Sequence, residues 1–359
     1  MIYPDLPAGY SYCEPYPVTM APSATDVQTD AALQAAADAK KAALSTPKEY
    51  LKSSGVLEQF EYFDVTPVIG REFANVNLVD WLKAPNSDEL LRELALTISQ
   101  RGVVFFRSQN DLTADLQKEL VQRIGLLSGK PETSGLHIHP ILNPEREGYK
   151  VTDPEISTID SELNRRVYPG QFKPKKQYSA QWHSDIAFEP KPADYSSLRL
   201  VNLPKTGGDT LWASGYELYD RISEPYQKFL ETLTATFQQP YFISAAEKGG
   251  YKLYDKPRGA PENVGAELKA VHPVVRTNPV SGWKSIFPVG GHVRFRWKNT
   301  NDIAIWDNRS TFHSATFDYD GLGERYGVRA VSVGEAPFYD PQSKSRSEDL
   351  AAQAAAAAQ

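Results

Sequence analysis

The sequence predicts a mainly β, α+β fold: a double-stranded β-helix (jelly-roll) core with flanking helices. Three observations lead there. Many short segments after residue 100 are rich in Val, Ile, Phe and Trp and are bounded by turn residues, as short strands are. Few of them alternate with helices, which argues against a parallel doubly wound sheet. Three helix-favouring stretches remain, and these suit the outside of a double-sheet barrel.

In chain order, residues 1–48 read as a peripheral arm. They carry Pro, Tyr and Gly without periodicity, and an alanine-rich stretch from Asp26 to Ala43 favours helix but holds no histidine. Ser87 can cap a helix running to Gln100, with Leu90, Leu91, Leu94 and Ile98 on one face. Gly102 ends it, and Val103-Val104-Phe105-Phe106 follows as a buried strand. A second helix is expected from Thr113 to Leu127, stopping at Gly129, and a third from Tyr216 to Phe237. Strands are expected at Ser197–Asn202, Thr210–Ala213, Val271–Thr277, His292–Trp297, Ile303–Trp306 and Gly327–Gly334. The tail after Pro341 is polar and ends in AAQAAAAAQ, the composition of a disordered or frayed helical end. The expected organisation is a flexible arm over 1–48, a catalytic unit over 49–340 and a disordered tail over 341–359.

Composition narrows the function. The chain has 359 residues, 41% of them hydrophobic and 23% charged, as in an ordinary soluble domain with a sizeable core. A net charge of −6 argues against a nucleic-acid partner, which needs a basic face. No apolar run approaches a membrane span. The first residues lack the basic and apolar segments of a secretory signal, so a cytoplasmic location is expected. The single cysteine, Cys13, excludes an internal disulfide and a cysteine-based metal site. Any metal must therefore be held by His and carboxylate.

Six histidines permit an exhaustive comparison: His137, His139, His183, His272, His292 and His313. His183-Ser184-Asp185 is an H-x-D. In a strand, residues two apart share a face, so one imidazole and one carboxylate would project together, two-thirds of the facial triad of non-haem iron(II) oxygenases. Alone the motif is weak, since a surface His beside a turn Asp looks the same. The third ligand must come from elsewhere and precede an arginine able to grip a co-substrate carboxylate bidentately. His272 and His292 have arginines too close behind them. His313 is followed by Arg325 and Arg329, with a turn at Asp320-Gly321-Leu322-Gly323 to bring the next strand back alongside. Arg325 and Arg329 lie four apart, so both can face inward from one strand. By themselves they would read as an ordinary solvated pair; beside His183, Asp185 and His313 they do not.

At this point the residues resemble a known family. WHSDIAFEP, PKTGGDTLWASGYELYD, NDIAIWDNRSTFHSA and RYGVRAV, in this order, closely resemble the taurine dioxygenase (TauD/TfdA) family of iron(II)/2-oxoglutarate enzymes, and LHIHP and HPVVRTNPVSG also fit. The resemblance covers roughly residues 60–338. It implies Fe(II) held by His183, Asp185 and His313, with 2-oxoglutarate and O₂ as co-substrates. It implies that Thr210 and Arg325 bind 2-oxoglutarate, and that Arg329, assisted by His139, binds the anionic head of a small organic substrate. His137 is expected to be structural, and Trp182 and Trp212 to be core packing. The implied reaction gives succinate, CO₂ and a hydroxylated substrate. For an alkanesulfonate such as taurine the product falls apart to an aldehyde and sulfite. Family members are often dimers or tetramers, which makes a homo-oligomer one option.

Three features depart from the pattern. Leu142 stands where sulfonate-oxidising members carry a tyrosine, leaving room for a larger or less polar substrate. A segment of about thirty residues is missing between Gly290 and His292, which would open one side of the pocket. The N-terminal arm is longer than the catalytic unit requires. Alkyl sulfates and aryloxy or alkyl carboxylates are therefore alternative substrates. A metal-binding homologue that no longer turns over is set against a complete ligand set and both arginines. A zinc hydrolase would leave Thr210 and Arg325 without a task.

Overall fold

Two apolar runs, Val103–Phe106 and Ile303–Asp307, pair antiparallel in the interior of a seven-stranded mixed sheet. The computed structural model describes residues 49–142, 153–162, 182–287, 301–316, 318–319 and 321–358. Among these the strands are β1 (Tyr62–Asp64), β2 (Arg71–Phe73), β3 (Val103–Phe106), β4 (Ile156–Asp160), β5 (Ala193–Asn202), β6 (Thr210–Ser214), β7 (Thr234–Gln238), β8 (Lys269–Pro273), β9 (Val275–Thr277), β10 (Lys284–Ile286), β11 (Ile303–Asp307), β12 (Thr311–Ala315) and β13 (Tyr326–Val333). The large sheet has the order β1-β2-β3-β11-β5-β13-β4, with β2 and β3 parallel and the other pairs antiparallel. Three two-stranded pairs, β9–β10, β6–β12 and β7–β8, complete the β structure of the described residues. Mixed sheet with flanking helices is the observed class.

Helices follow local signals. α1 (Leu78–Lys83) begins where Asn77 accepts a hydrogen bond from the Val79 N–H. α2 (Ser87–Arg101) matches the expected span, although its N-cap is Asn86, and Gly102 ends it at φ 75°. α3 (Ala114–Leu127) is capped by the Thr113 hydroxyl. α2 and α3 turn Leu90, Leu91, Leu94, Leu120 and Ile124 onto one face of the sheet. There Phe73, Trp81 and Phe106 form an aromatic cluster with centroids 5.4–5.7 Å apart. The opposite face of β3, β5 and β11 packs Phe105, Leu198, Leu200 and Trp306 against Trp212 of β6.

The single helix expected over Tyr216–Phe237 is corrected to three elements. α4 (Gly215–Asp220) and α5 (Glu224–Glu231) are separated by a turn that ends at Ser223, the N-cap position of α5, with Pro225 in the first turn. The alternating Thr234-Ala235-Thr236-Phe237-Gln238 is strand β7, paired with β8. α6 (Pro240–Gly249) follows. Val271–Thr277 divides at Val274 into β8 and β9. Within the tail expected to be disordered, residues 346–357 form helix α7 (Arg346–Ala357). A reciprocal Ser345–Glu348 capping box starts it, and Trp283 Nε1 donates to Asp349 at 2.9 Å. The expected helix at 26–43, the strand at His292–Trp297 and the missing segment near 290–292 lie outside the described residues.

Candidate active site

The site is built on one backbone bridge. His183 and His313 exchange N–H···O bonds of 3.1 and 2.9 Å, which sets the two imidazoles on one side with centroids 4.3 Å apart. His313 lies in β12, opposite Trp212 of β6, and its ring packs on Trp306 at 4.8 Å. Asp185 is not in a strand as the H-x-D spacing suggested. It opens a turn, and the next residue, Ile186, has φ 46°, a left-handed conformation that costs a β-branched residue roughly 1–2 kcal/mol. The carboxylate still reaches the imidazoles. The candidate ligand atoms of His183, Asp185 and His313 lie within 4.8 Å of one another, and His313 Nε2 is 3.7 Å from Asp185 Oδ1.

Electrostatics suit a divalent cation. Burial by itself would raise the Asp185 carboxyl, but Arg329 and the two imidazoles outweigh it and hold the group well below the usual range. His313 is pushed down to about 3, first by burial and then by the neighbouring His183 ring, so its imidazole is neutral at physiological pH, as a metal ligand must be. Its Nδ1 is buried without a hydrogen-bond partner. Two imidazoles, one of them held neutral, and one ionised carboxylate, converging on a point none of them fills, match the donor set that binds non-haem iron.

Thr210 and Arg325 come together as expected. Arg325 donates through Nη2 to the Thr210 hydroxyl at 3.1 Å and through Nε to the Gly208 carbonyl at 2.8 Å. Burial lowers the guanidinium from its ordinary value, yet an arginine stays charged in a protein. Arg325 and Arg329 do not project side by side from one strand. Arg325 precedes β13, and the pairing with β5 shifts register between Tyr326 and Gly327. Arg329 turns instead to Asp185, with Nη1 2.7 Å from Oδ1.

A cavity of about 250 Å³ opens at His183 and Asp185, two of the three candidate ligands. His139 and Arg329 line it, together with Ile186, Phe188, Phe237 and Phe242. The His139 Nδ1 accepts the backbone N–H groups of Ile141 and Leu142, both at 3.1 Å, so in the neutral ring Nε2 carries the proton. Leu142 is buried in an apolar cluster with Ile141, Phe188 and Leu253. His137 bonds Glu189 at 3.3 Å, and Arg258 holds the same carboxylate at 2.5 and 2.9 Å, a buried structural network. Trp182 and Trp212 are buried in apolar clusters. Three residues of the site were not expected from the sequence: Ser196 and Asn308, which touch Asp185 directly, and Trp306. Asn308 and Trp306 stand in a stretch that carries the family resemblance, and their place beside His313 there was the available signal.

A mixed sheet with flanking helices and a His/Asp/His cluster define the class of a non-haem iron dioxygenase. The model of the "Taurine catabolism dioxygenase TauD, TfdA family" matches residues 61–292, and the chain belongs to that family. As a member it is a 2-oxoglutarate-dependent dioxygenase that uses Fe(II), 2-oxoglutarate and O₂. It is 47% identical to "Alpha-ketoglutarate-dependent dioxygenase btcD" of Neocamarosporium betae, covering 84% of this chain and 98% of that protein. That alignment runs over 342 positions, whereas 84% of 359 residues is about 302, so about 40 positions of it have no counterpart here. The "Alpha-ketoglutarate-dependent sulfonate dioxygenase" of Saccharomyces cerevisiae is 29% identical over 79% of this chain and 69% of its own length. The crystal structure of AAD-2 in complex with Mn(II) and N-oxalylglycine shares the fold, with TM-score 0.55 and 18% identity over 77% of this chain and 99% of that one. No helix among the described residues is long and apolar enough to cross a membrane.

Proposed function

We propose that this dioxygenase oxidises a small organic anion with an apolar body, an alkanesulfonate in the first instance. One observation carries the reading: the cavity beside the His/Asp/His cluster pairs a cation, Arg329, with an apolar wall of Ile186, Phe188, Phe237 and Phe242. In this reading His183, Asp185 and His313 hold Fe(II). Thr210 and Arg325 take the distal carboxylate of the 2-oxoglutarate co-substrate. Arg329 binds the anionic head of the substrate, and the His139 Nε2–H assists it. When bound, Fe(II) with 2-oxoglutarate and O₂ supplies the oxidising chemistry that releases succinate and CO₂ and inserts oxygen into a substrate C–H bond. The protein supplies orientation and a desolvated pocket. Oxidation beside a sulfonate sulfur gives an aldehyde and sulfite.

Taurine itself is a zwitterion, and among the described lining residues the only carboxylate is Asp185, a proposed metal ligand. An ammonium group would find no other counter-charge among the described lining residues. Leu142, buried among apolar side chains where a tyrosine would offer a hydroxyl, favours a second reading as well: an alkyl sulfate or an aryloxy or alkyl carboxylate. In the same proposal the catalytic unit spans 49–340 around a jelly-roll core, and a segment is missing near 290–292. The positions without counterpart in the Neocamarosporium alignment and the end of the family match at residue 292 support that deletion.

The test is substrate-dependent succinate release with Fe(II), ascorbate, 2-oxoglutarate and O₂, comparing taurine, longer alkanesulfonates, alkyl sulfates and aryloxyacetates. A longer anion should stimulate succinate more than taurine does. Arg329→Ala should raise the KM for that anion about tenfold while leaving the KM for the 2-oxo acid unchanged. Preference for taurine would remove the apolar-body reading, and an unchanged substrate KM in Arg329→Ala would free that arginine from the anion.

A further inference from the structure

We infer that Asn308 and Ser196 are positioning residues that fix the Asp185 carboxylate and aim its Oδ1 at the proposed metal position. The inference rests on the assignment of Asp185 as an iron ligand.

The three residues form a closed ring of hydrogen bonds. The Asp185 backbone N–H donates to Asn308 Oδ1 at 3.0 Å. Asn308 Nδ2 donates to the Ser196 hydroxyl at 2.8 Å. The Ser196 hydroxyl donates to Asp185 Oδ2 at 2.7 Å. Every direction in the ring is determined. Asn308 Oδ1 also accepts from Trp306 Nε1 at 3.0 Å, and both of its donors are N–H groups that cannot accept, so the amide cannot be flipped. Its second Nδ2 hydrogen points at the Asp194 carbonyl, 3.4 Å away. With its lone pairs facing an N–H donor, Ser196 commits its one proton to Asp185. Asn308 and Ser196 are completely buried, so no water competes for these bonds.

The ring divides the Asp185 carboxylate. Oδ2 accepts from Ser196, while Oδ1 lies 3.7 Å from His313 Nε2 and accepts from Arg329 Nη1 at 2.7 Å. Asn308 also sits in the turn between β11 and β12, where its N–H bonds the Asp194 carbonyl at 2.7 Å. It therefore fixes Asp185 from the strand end that leads directly to His313.

The experiment measures anaerobic Fe(II) affinity and the thermal midpoint of the metal-free protein for wild type, Ser196→Ala, Asn308→Ala and His313→Ala. Ser196→Ala should bind Fe(II) about 10–100-fold more weakly, because lost support of a ligating carboxylate typically has this effect. A purely structural role would lower the thermal midpoint and leave the affinity of the folded protein alone. A loss smaller than about threefold in folded Ser196→Ala would overturn the inference. Asn308→Ala should match or exceed the loss; if it does not fold, Ser196→Ala decides alone. Unimpaired Fe(II) binding by His313→Ala would instead overturn the ligand assignment itself, and so separates the two failures.

Discussion

The two sides of the site are built differently. The floor that backs the His/Asp/His cluster, made by β5, β6, β11, β12 and the turn at Asp307–Ser310, is determined several times over. Ser196, Trp212, Asp307, Asn308 and Thr311 are fully buried, and Arg309 closes on Asp307 at 2.8 Å with its guanidinium 4.5 Å from the Tyr195 ring centroid. The wall contributed by β7 and α6, with α5 leading into it, is loosely packed. α5 buries no residue, α6 buries only Ala246, and Tyr241 is 77% exposed. The contrast separates two tasks. Holding a metal tolerates little displacement, so its supports are redundant. Accepting a substrate body needs only shape and apolarity, so that side can vary at low cost.

Three measurements press on this contrast, beginning with the largest effect. Arg325→Ala removes the buried cation that bonds Thr210 of β6 in the floor. Its KM for 2-oxoglutarate should rise about 30-fold, the equivalent of roughly 2 kcal/mol for one partner of a buried charged pair. An unchanged KM would show that the floor does not bind the co-substrate there. Next comes acid stability. His272 joins the two sides by bonding the carbonyls of Ala187 and Glu189 at 3.0 Å, and burial, then Arg276, pushes its pKa down to about 4. The unfolded ring protonates near 6.5. The contribution of the neutral ring is therefore complete above that pH and lost as pH falls from about 6.5 to 4. Melting temperature should drop over that window, and less steeply in His272→Gln; parallel curves would exclude His272 as a source. The smallest effect is expected on the loose side. Phe229, on α5, is 55% exposed, and Phe229→Ser should change stability by less than about 0.5 kcal/mol in urea. A larger loss would mean that Phe229 packs on more than the neighbouring Tyr226 ring.

What the sequence revealed, and what it hid, follows from the same physics. His183, Asp185 and His313 could be singled out because histidines are few and an H-x-D is short-range. The Thr210–Arg325 contact followed from motif order. The sequence could not reveal that Asp185 sits in a turn, since a spacing of two is compatible with several backbone paths. Ser196 carried no signal of its own, and Asn308 only its place in the stretch that leads to His313. A serine in a strand and an asparagine in a turn are common, and only the tertiary ring gives them meaning. The false helix over 216–237 came from giving composition more weight than Pro225 and the Thr-rich alternation after Leu233.

The bridge between His183 and His313 also bears on how the enzyme acquires its iron. Its flanking contact, from Ser184 to the Thr311 carbonyl, spans 127 residues of chain. Such a contact closes only after the sheet has largely assembled, because the entropy of so long a loop must first be overcome. Iron that binds the folded site and not the unfolded chain stabilises the native state by an amount that grows with the ratio of free iron to its dissociation constant.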